Sequence, residues 1–151
     1  MKIPARIDYA LRAVIELAAG HSESVSVRTI AKRQGLSERF LEQVFTDLRA
    51  GGLVTSRRGG HGGYQLVKPA DELSVADVIC AVHPEFTAAT TSRPPTGSCP
   101  GTSRALATLW LALSADLQDF LHGVTVGDVA KGQLPGWAVE LAERGRTSIW
   151  T

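Results

Sequence analysis

Residues 26–52, SVRTIAKRQGLSERFLEQVFTDLRAGG, constrain the fold more than any other stretch. Ser26 precedes VRTIAKRQ, which stops at Gly35, and Ser37 precedes ERFLEQVFTDLRA, which stops at Gly51 and Gly52. A serine at an N-cap accepts from the orphan N–H groups of the first turn, and a glycine takes the positive φ of a tight helix exit without steric cost. Only Gly35, Leu36 and Ser37 join the two helices, so they must cross at once, as in a helix-turn-helix. Ala31, four residues before Gly35, is small where that crossing is close, and Ile30, Leu36, Leu41 and Val44 supply a shared core. On the second helix Leu41, Val44, Phe45 and Leu48 share one face; Arg39, Gln43, Thr46 and Ala50 lie opposite, with Glu42 at the flank.

The next segment, LVTSRRGGHGGYQLVK, suits two short strands at 53–58 and 64–68 around a glycine tip at 59–63, which makes a β-wing. Its glycines do not follow G-x-G-x-x-G and no helix begins after them, which argues against a dinucleotide-binding loop. Before this core, residues 4–19 read as a helix with Ile7, Leu11, Val14, Ile15 and Leu17 at helical spacing. After it, Ser74 caps a short helix to Val82, and residues 83–101 read as a polar loop whose Pro94, Pro95 and Pro100 oppose regular structure. Residues 102–122 form a long helix striped by Leu106, Leu109, Trp110, Leu113, Leu117, Phe120 and Leu121, more apolar surface than a small core needs. Thr125 opens a short helical turn, and an amphipathic segment lies around 137–144. The expected architecture is mainly α: a winged helix-turn-helix with a two-stranded β-wing and a long C-terminal dimerisation helix. It divides into a DNA-binding region (1–82), a sensor-type loop (83–101), a dimerisation helix with its following turn (102–131) and a tail (132–151).

The net charge of +1 conceals an asymmetry: residues 1–68 carry eleven basic and six acidic groups, and residues 69–151 carry five and nine. The basic half suits a polyanion. With 44% hydrophobic and 21% charged residues the chain is globular, and no apolar run approaches the ~18 residues that span a bilayer. Arg6, Asp8, Arg12 and Glu16 interrupt what would otherwise resemble a secretory signal, so a cytoplasmic location is expected.

Side chains on the outward face of the second helix match base edges: Arg39 suits guanine, Gln43 adenine, and Ser37 or Thr46 a base or a phosphate. Arg57, Arg58, Gly59 and His61 suit a thin finger in the minor groove, and Tyr64, which closes the hairpin, joins the DNA-facing candidates. Lys2, Arg6, Arg28, Lys32 and Arg33 are candidates for phosphate contacts that position without specifying. No Ser-His-Asp or paired-carboxylate motif is present, which disfavours an enzyme. His21, His61, His83 and His122 are scattered, with no HxxxH or CxxC between them.

Residues 27–66 resemble the DNA-binding core of the Rrf2 family of bacterial regulators in the LEQ triplet, the GLV-x-S-x-RG wing strand and the GGY that ends the wing. DYALRA near the start, the long helix with Trp110 and the later FL-x-x-VTVGDV extend the likeness to about residue 131. The resemblance implies a homodimeric transcription factor, most simply a repressor, on a palindromic operator, with Glu42 associated with operator choice. It also implies, in many members, an iron–sulfur cluster on three cysteines before the long helix. Here Cys99 matches the middle one, while Arg93, Ala105 and Ala107 stand where other ligands are expected. Asp8 matches a carboxylate that some members donate across the dimer; Cys80, among Val78, Ile79, Ala81 and Val82, reads as a buried core residue. With most ligands missing, no cofactor is expected. The alternatives are an atypical iron–sulfur or thiol sensor of redox state or nitric oxide using Cys99 and Asp8, and a cluster-free regulator controlled by a docked partner protein.

Overall fold

The computed structural model describes residues 3–20, 23–60, 62–86 and 102–147. Helix α1 (Ala5–Ala19) leads into α2 (Val27–Gln34) and α3 (Glu38–Ala50), followed by strands β1 (Val54–Arg57) and β2 (Gly63–Leu66). A 3-10 turn (Ala70–Glu72) precedes α4 (Val75–Val82), the long α5 (Thr102–His122), α6 (Val126–Ala130) and α7 (Gly136–Thr147). Both expected caps form: Ser26 Oγ accepts from the Thr29 N–H, and Ser37 Oγ from the Phe40 N–H. Gly35 ends α2 at φ +64°, a conformation that a side chain disfavours.

Helix α1 lies at the centre and packs against α2, α3, α4, α6 and β2. Its inward side is Ile7, Ala10, Ala13, Val14 and Leu17, and the three smallest of these let neighbouring helices approach closely. The inner face of α3 is sealed: Leu41, Val44, Phe45 and Leu48 are each 0% exposed.

The wing is a two-stranded antiparallel sheet with Val54 opposite Leu66 and Arg57 opposite Gly63. The strands are slightly shorter than the sequence suggests. What fixes the wing is a third backbone: Val25 and Tyr64 exchange hydrogen bonds, each N–H donating to the other's carbonyl at 2.9 Å. A Cβ on Gly63 would come within 2.4 Å of the Val25 carbonyl, so glycine is needed here for close approach rather than for a turn.

The starts of α4 and α6 form a matched pair. Ser74 and Thr125 each make a capping box, with Asp77 and Asp128 respectively. The two caps bridge each other: the Val75 N–H donates to Val124 O at 2.9 Å and the Val126 N–H to Leu73 O at 2.8 Å. The local sequences, LSVADV and VTVGDV, show the same likeness, short enough to escape a search for repeats. This clasp returns the chain from the end of α5 to the flank of α1.

Two expectations change. Residues 84–86, placed in the irregular loop, are helical. His83 explains this, since its Nδ1 accepts from the Phe86 N–H at 3.1 Å, and Pro84 follows at a position where a proline is tolerated. Cys80, expected in the core, is exposed. Helix α4 buries Ala76, Val78, Ile79 and Val82, and Cys80 falls on the outward side near Asp77, because even an apolar eight-residue helix keeps one face outside. Among the described residues no helix is long and apolar enough to cross a membrane.

Gly63→Ala should destabilise the protein by roughly 1–3 kcal/mol, as overpacking does, read from urea unfolding. Hydrogen bonds from the Thr125 backbone N–H and then its side chain hold the Asp128 carboxyl below its ordinary 3.8, against a smaller opposing effect of burial and with help from Lys131. The linked stability is therefore fully present above about pH 4 and is lost as the pH falls through the depressed value. Asp128→Asn should flatten that acid limb, measured by thermal melts between about pH 2 and 5.

Candidate nucleic-acid interface

Because four inner positions of α3 are sealed, its outward stripe has no rotational freedom: Ser37, Arg39, Glu42, Gln43 and Thr46 are all exposed. Arg49, which the sequence reading did not single out, continues that stripe one turn beyond Thr46 and is also exposed. Its signal was the seven-residue interval from Glu42.

The two hydroxyls differ chemically. Ser37 Oγ accepts from the Phe40 N–H, so its own proton is available to a phosphate or a base acceptor. Thr46 Oγ1 donates to the Glu42 carbonyl at 2.9 Å, so towards a partner it can only accept. A phosphate offers no donor; Thr46 therefore suits a base amino group.

The cations separate into two sets. Among the described residues Arg28, Lys32, Arg39, Arg57 and Arg58 are exposed and make no ion pair. They lie on α2, α3 and the wing. Gly59 and Gly60 are exposed beside Arg58, and the Gly62 N–H closes the tip on Gly59 O at 2.9 Å; His61 lies outside the described residues.

The second set ties helices together. Arg6, expected as a phosphate contact, is ion-paired with Asp47 of α3. Arg33, expected likewise, pairs with Glu16 of α1 at 3.3 Å, where Gln34 Nε2 also donates at 2.6 Å. Their charges are already met within the chain. Lys2 lies outside the described residues. Tyr64 also differs from expectation: its ring stacks on Phe45 at 4.4 Å and 20°, turned into the core rather than towards a groove. Phe40, at the start of α3, meets Tyr9 of α1 edge to face at 5.1 Å, a contact with no local sequence signal.

A recognition helix held in the core, a short turn, a glycine-tipped wing and a charge set confined to their outer surface define a winged helix-turn-helix transcriptional regulator. The chain belongs to the Rrf2 family, described as iron-dependent transcriptional regulators, whose match covers residues 3–132. It is 40% identical over 134 residues to the HTH-type transcriptional regulator IscR of Vibrio campbellii, covering 87% of this chain and 78% of that protein. It is 37% identical over 147 residues to an HTH-type transcriptional regulator of Mycobacterium tuberculosis, covering 95% and 89%. Among solved structures it resembles CymR, the global cysteine regulator of B. subtilis, with a TM-score of 0.72 and 30% identity over 88% of this chain and 98% of that one. IscR of T. potens gives a TM-score of 0.70 at 28% identity, covering 87% and 88%. These relatives are DNA-binding regulators, a non-enzyme family.

The Asp8 carboxylate, the candidate cluster ligand among the described residues, accepts from Arg12 Nε at 2.9 Å in an ion pair about half exposed at both ends. No three His, Cys, Asp or Glu side chains among the described residues are grouped to hold a metal ion. Cys99 lies outside them.

The Arg6–Asp47 pair is about a third exposed at both ends, so solvent screens it. A double-mutant cycle with Arg6→Ala and Asp47→Ala should return a coupling of about 0.5–1 kcal/mol in urea unfolding, smaller at high salt.

Proposed function

We propose that the protein is a homodimeric repressor that binds a palindromic operator in the bacterial cytoplasm, with α3 in the major groove and the wing in the minor groove. The observation that carries this reading is the segregation of two surfaces. Arg28, Lys32, Arg39, Arg57 and Arg58, exposed and outside any ion pair, stand on α2, α3 and the wing, while α5 presents an uncovered apolar stripe, with Leu106, Trp110 and Leu113 at least half exposed. The first surface suits a polyanion; the second suits a second copy of the chain.

In this reading Arg39 and Gln43 address guanine and adenine edges, and Thr46 accepts from a base amino group. Glu42 vetoes sites that lack a donor, because a carboxylate facing the groove repels phosphate. Ser37, Arg28 and Lys32 hold phosphates, and Arg57, Arg58 and the glycine tip enter the minor groove. Residues 83–101 receive the signal.

Fluorescence anisotropy against the DNA upstream of the protein's own gene tests the proposal. Specific binding should exceed binding to random DNA by roughly a thousandfold or more at physiological salt. Arg58→Ala should weaken binding to all sequences and lower the salt slope by about one; Gln43→Ala should cost roughly 1–3 kcal/mol and relax preference at one base position. Equal affinity for the upstream region and random DNA would refute it.

A further inference from the structure

A cavity of about 520 Å³ lies where the end of α1, the wing and the segment leading into the 3-10 turn meet. Small-molecule sites span roughly 300–1,000 Å³, so it is large enough to hold one. Exposure sorts its lining. Leu17 is buried and Leu66 and Ala70 are half-buried, which makes the inner wall apolar, whereas Glu23, Arg57 and Lys68 are exposed at the mouth.

Strand register explains why opposite charges meet here. Arg57 lies opposite Gly63 and Thr55 opposite Gln65, so Arg57 and Gln65 share one face of the hairpin. A Cβ on Gly63 would point to that same face and into the Val25 backbone, so the segment from Glu23 to Val25 runs along it. Glu23 and the two cations thus line one cavity, yet among the described residues none of the three makes an ion pair.

We infer that this cavity binds a free α-amino acid with an apolar side chain and that the bound molecule withdraws Arg57 from DNA. The second half rests on the reading of the wing as a minor-groove contact. Arg57 and Lys68 take the carboxylate, Glu23 takes the ammonium, and the side chain lies against Leu17, Leu66 and Ala70. Charges of both signs that do not meet each other are bridged by a molecule that carries both. A phosphate would answer the cations but would be repelled by Glu23. A charged side chain on the amino acid would be set against the apolar inner wall without a partner, which is costly. Arg57 cannot serve the amino acid and the minor groove together, so the two ligands oppose each other, and the opposition is reciprocal.

Isothermal titration calorimetry of the full chain without DNA tests the site, with L-leucine, L-isoleucine, L-valine, L-methionine and L-phenylalanine as probes. At least one should bind with a Kd of about 1 mM or lower. Its methyl ester, which lacks the carboxylate charge, and its N-acetyl form, which lacks the ammonium, should each bind about tenfold more weakly or worse. Glu23→Gln should weaken the parent amino acid equally while leaving the melting temperature unchanged, because Glu23 is exposed. At saturating amino acid, affinity for the operator read by fluorescence anisotropy should fall about fivefold or more, and Glu23→Gln should abolish that response.

No binding by any of these probes overturns the site and leaves the DNA reading untouched. Binding that Glu23→Gln does not weaken, or that L-glutamate or inorganic phosphate equals, overturns the assignment of the ligand. Binding with unchanged operator affinity overturns the opposition through Arg57. A chain that binds the amino acid but no DNA refutes the wing reading and leaves the site standing.

Discussion

The orientation of α3 depends on the complete burial of Leu41, Val44, Phe45 and Leu48. Each such side chain contributes roughly 1.5–3 kcal/mol relative to exposure, so rolling the helix by one position would forfeit most of that. The helix is thereby locked about its axis, and the polar stripe from Ser37 to Arg49 has a single direction to face. Phe45 does more than fill space: the stacked Tyr64 refers the wing to the same ring that anchors the recognition helix. Gly63 and the Val25–Tyr64 backbone bridge complete that link by bringing β2 against the start of α2.

Around this anchor the charged residues divide by role. Those pointing into the fold from α1, α2 and α3 join helices: Arg6 with Asp47, and Glu16 with Arg33 and Gln34. Arg28, Lys32, Arg39, Arg57 and Arg58, on the outer surface of α2, α3 and the wing, make no ion pair. The opening asymmetry of charge therefore overstates the surface available to a polyanion, since part of the basic half is neutralised internally. The C-terminal half is joined to the same scaffold by packing. Helices α4 and α6, clasped through Ser74 and Thr125, lie against α1, and α4 also touches α3 and α5. Helix α4 is thus the element that touches both the long helix and the recognition helix.

The helix-turn-helix and wing were legible in the sequence because their signals are local: serine caps, glycine exits, a 3.6-residue apolar period and a glycine-rich tip. Contacts between distant segments were not. Arg6 and Asp47 are 41 positions apart, and nothing near either residue marks it as spoken for. Tyr64 looked like a wing-tip residue, and its inward stack depends on where α3 places Phe45. Cys80 sat in an apolar run too short to reveal which side of α4 would be left outside. The outward stripe of α3 was readable, yet the split of Ser37 as donor and Thr46 as acceptor required the backbone each hydroxyl already serves.

The most direct test of the central claim, that a pair of α3 helices reads two half-sites from the major groove, is methylation interference at guanine N7 combined with hydroxyl-radical footprinting on the bound operator. Two symmetric patches of N7 interference are expected, their centres one or two helical turns apart, about 10 or 20 base pairs, with flanking minor-groove protection from the wings. A single patch, or binding indifferent to N7 methylation, would contradict it.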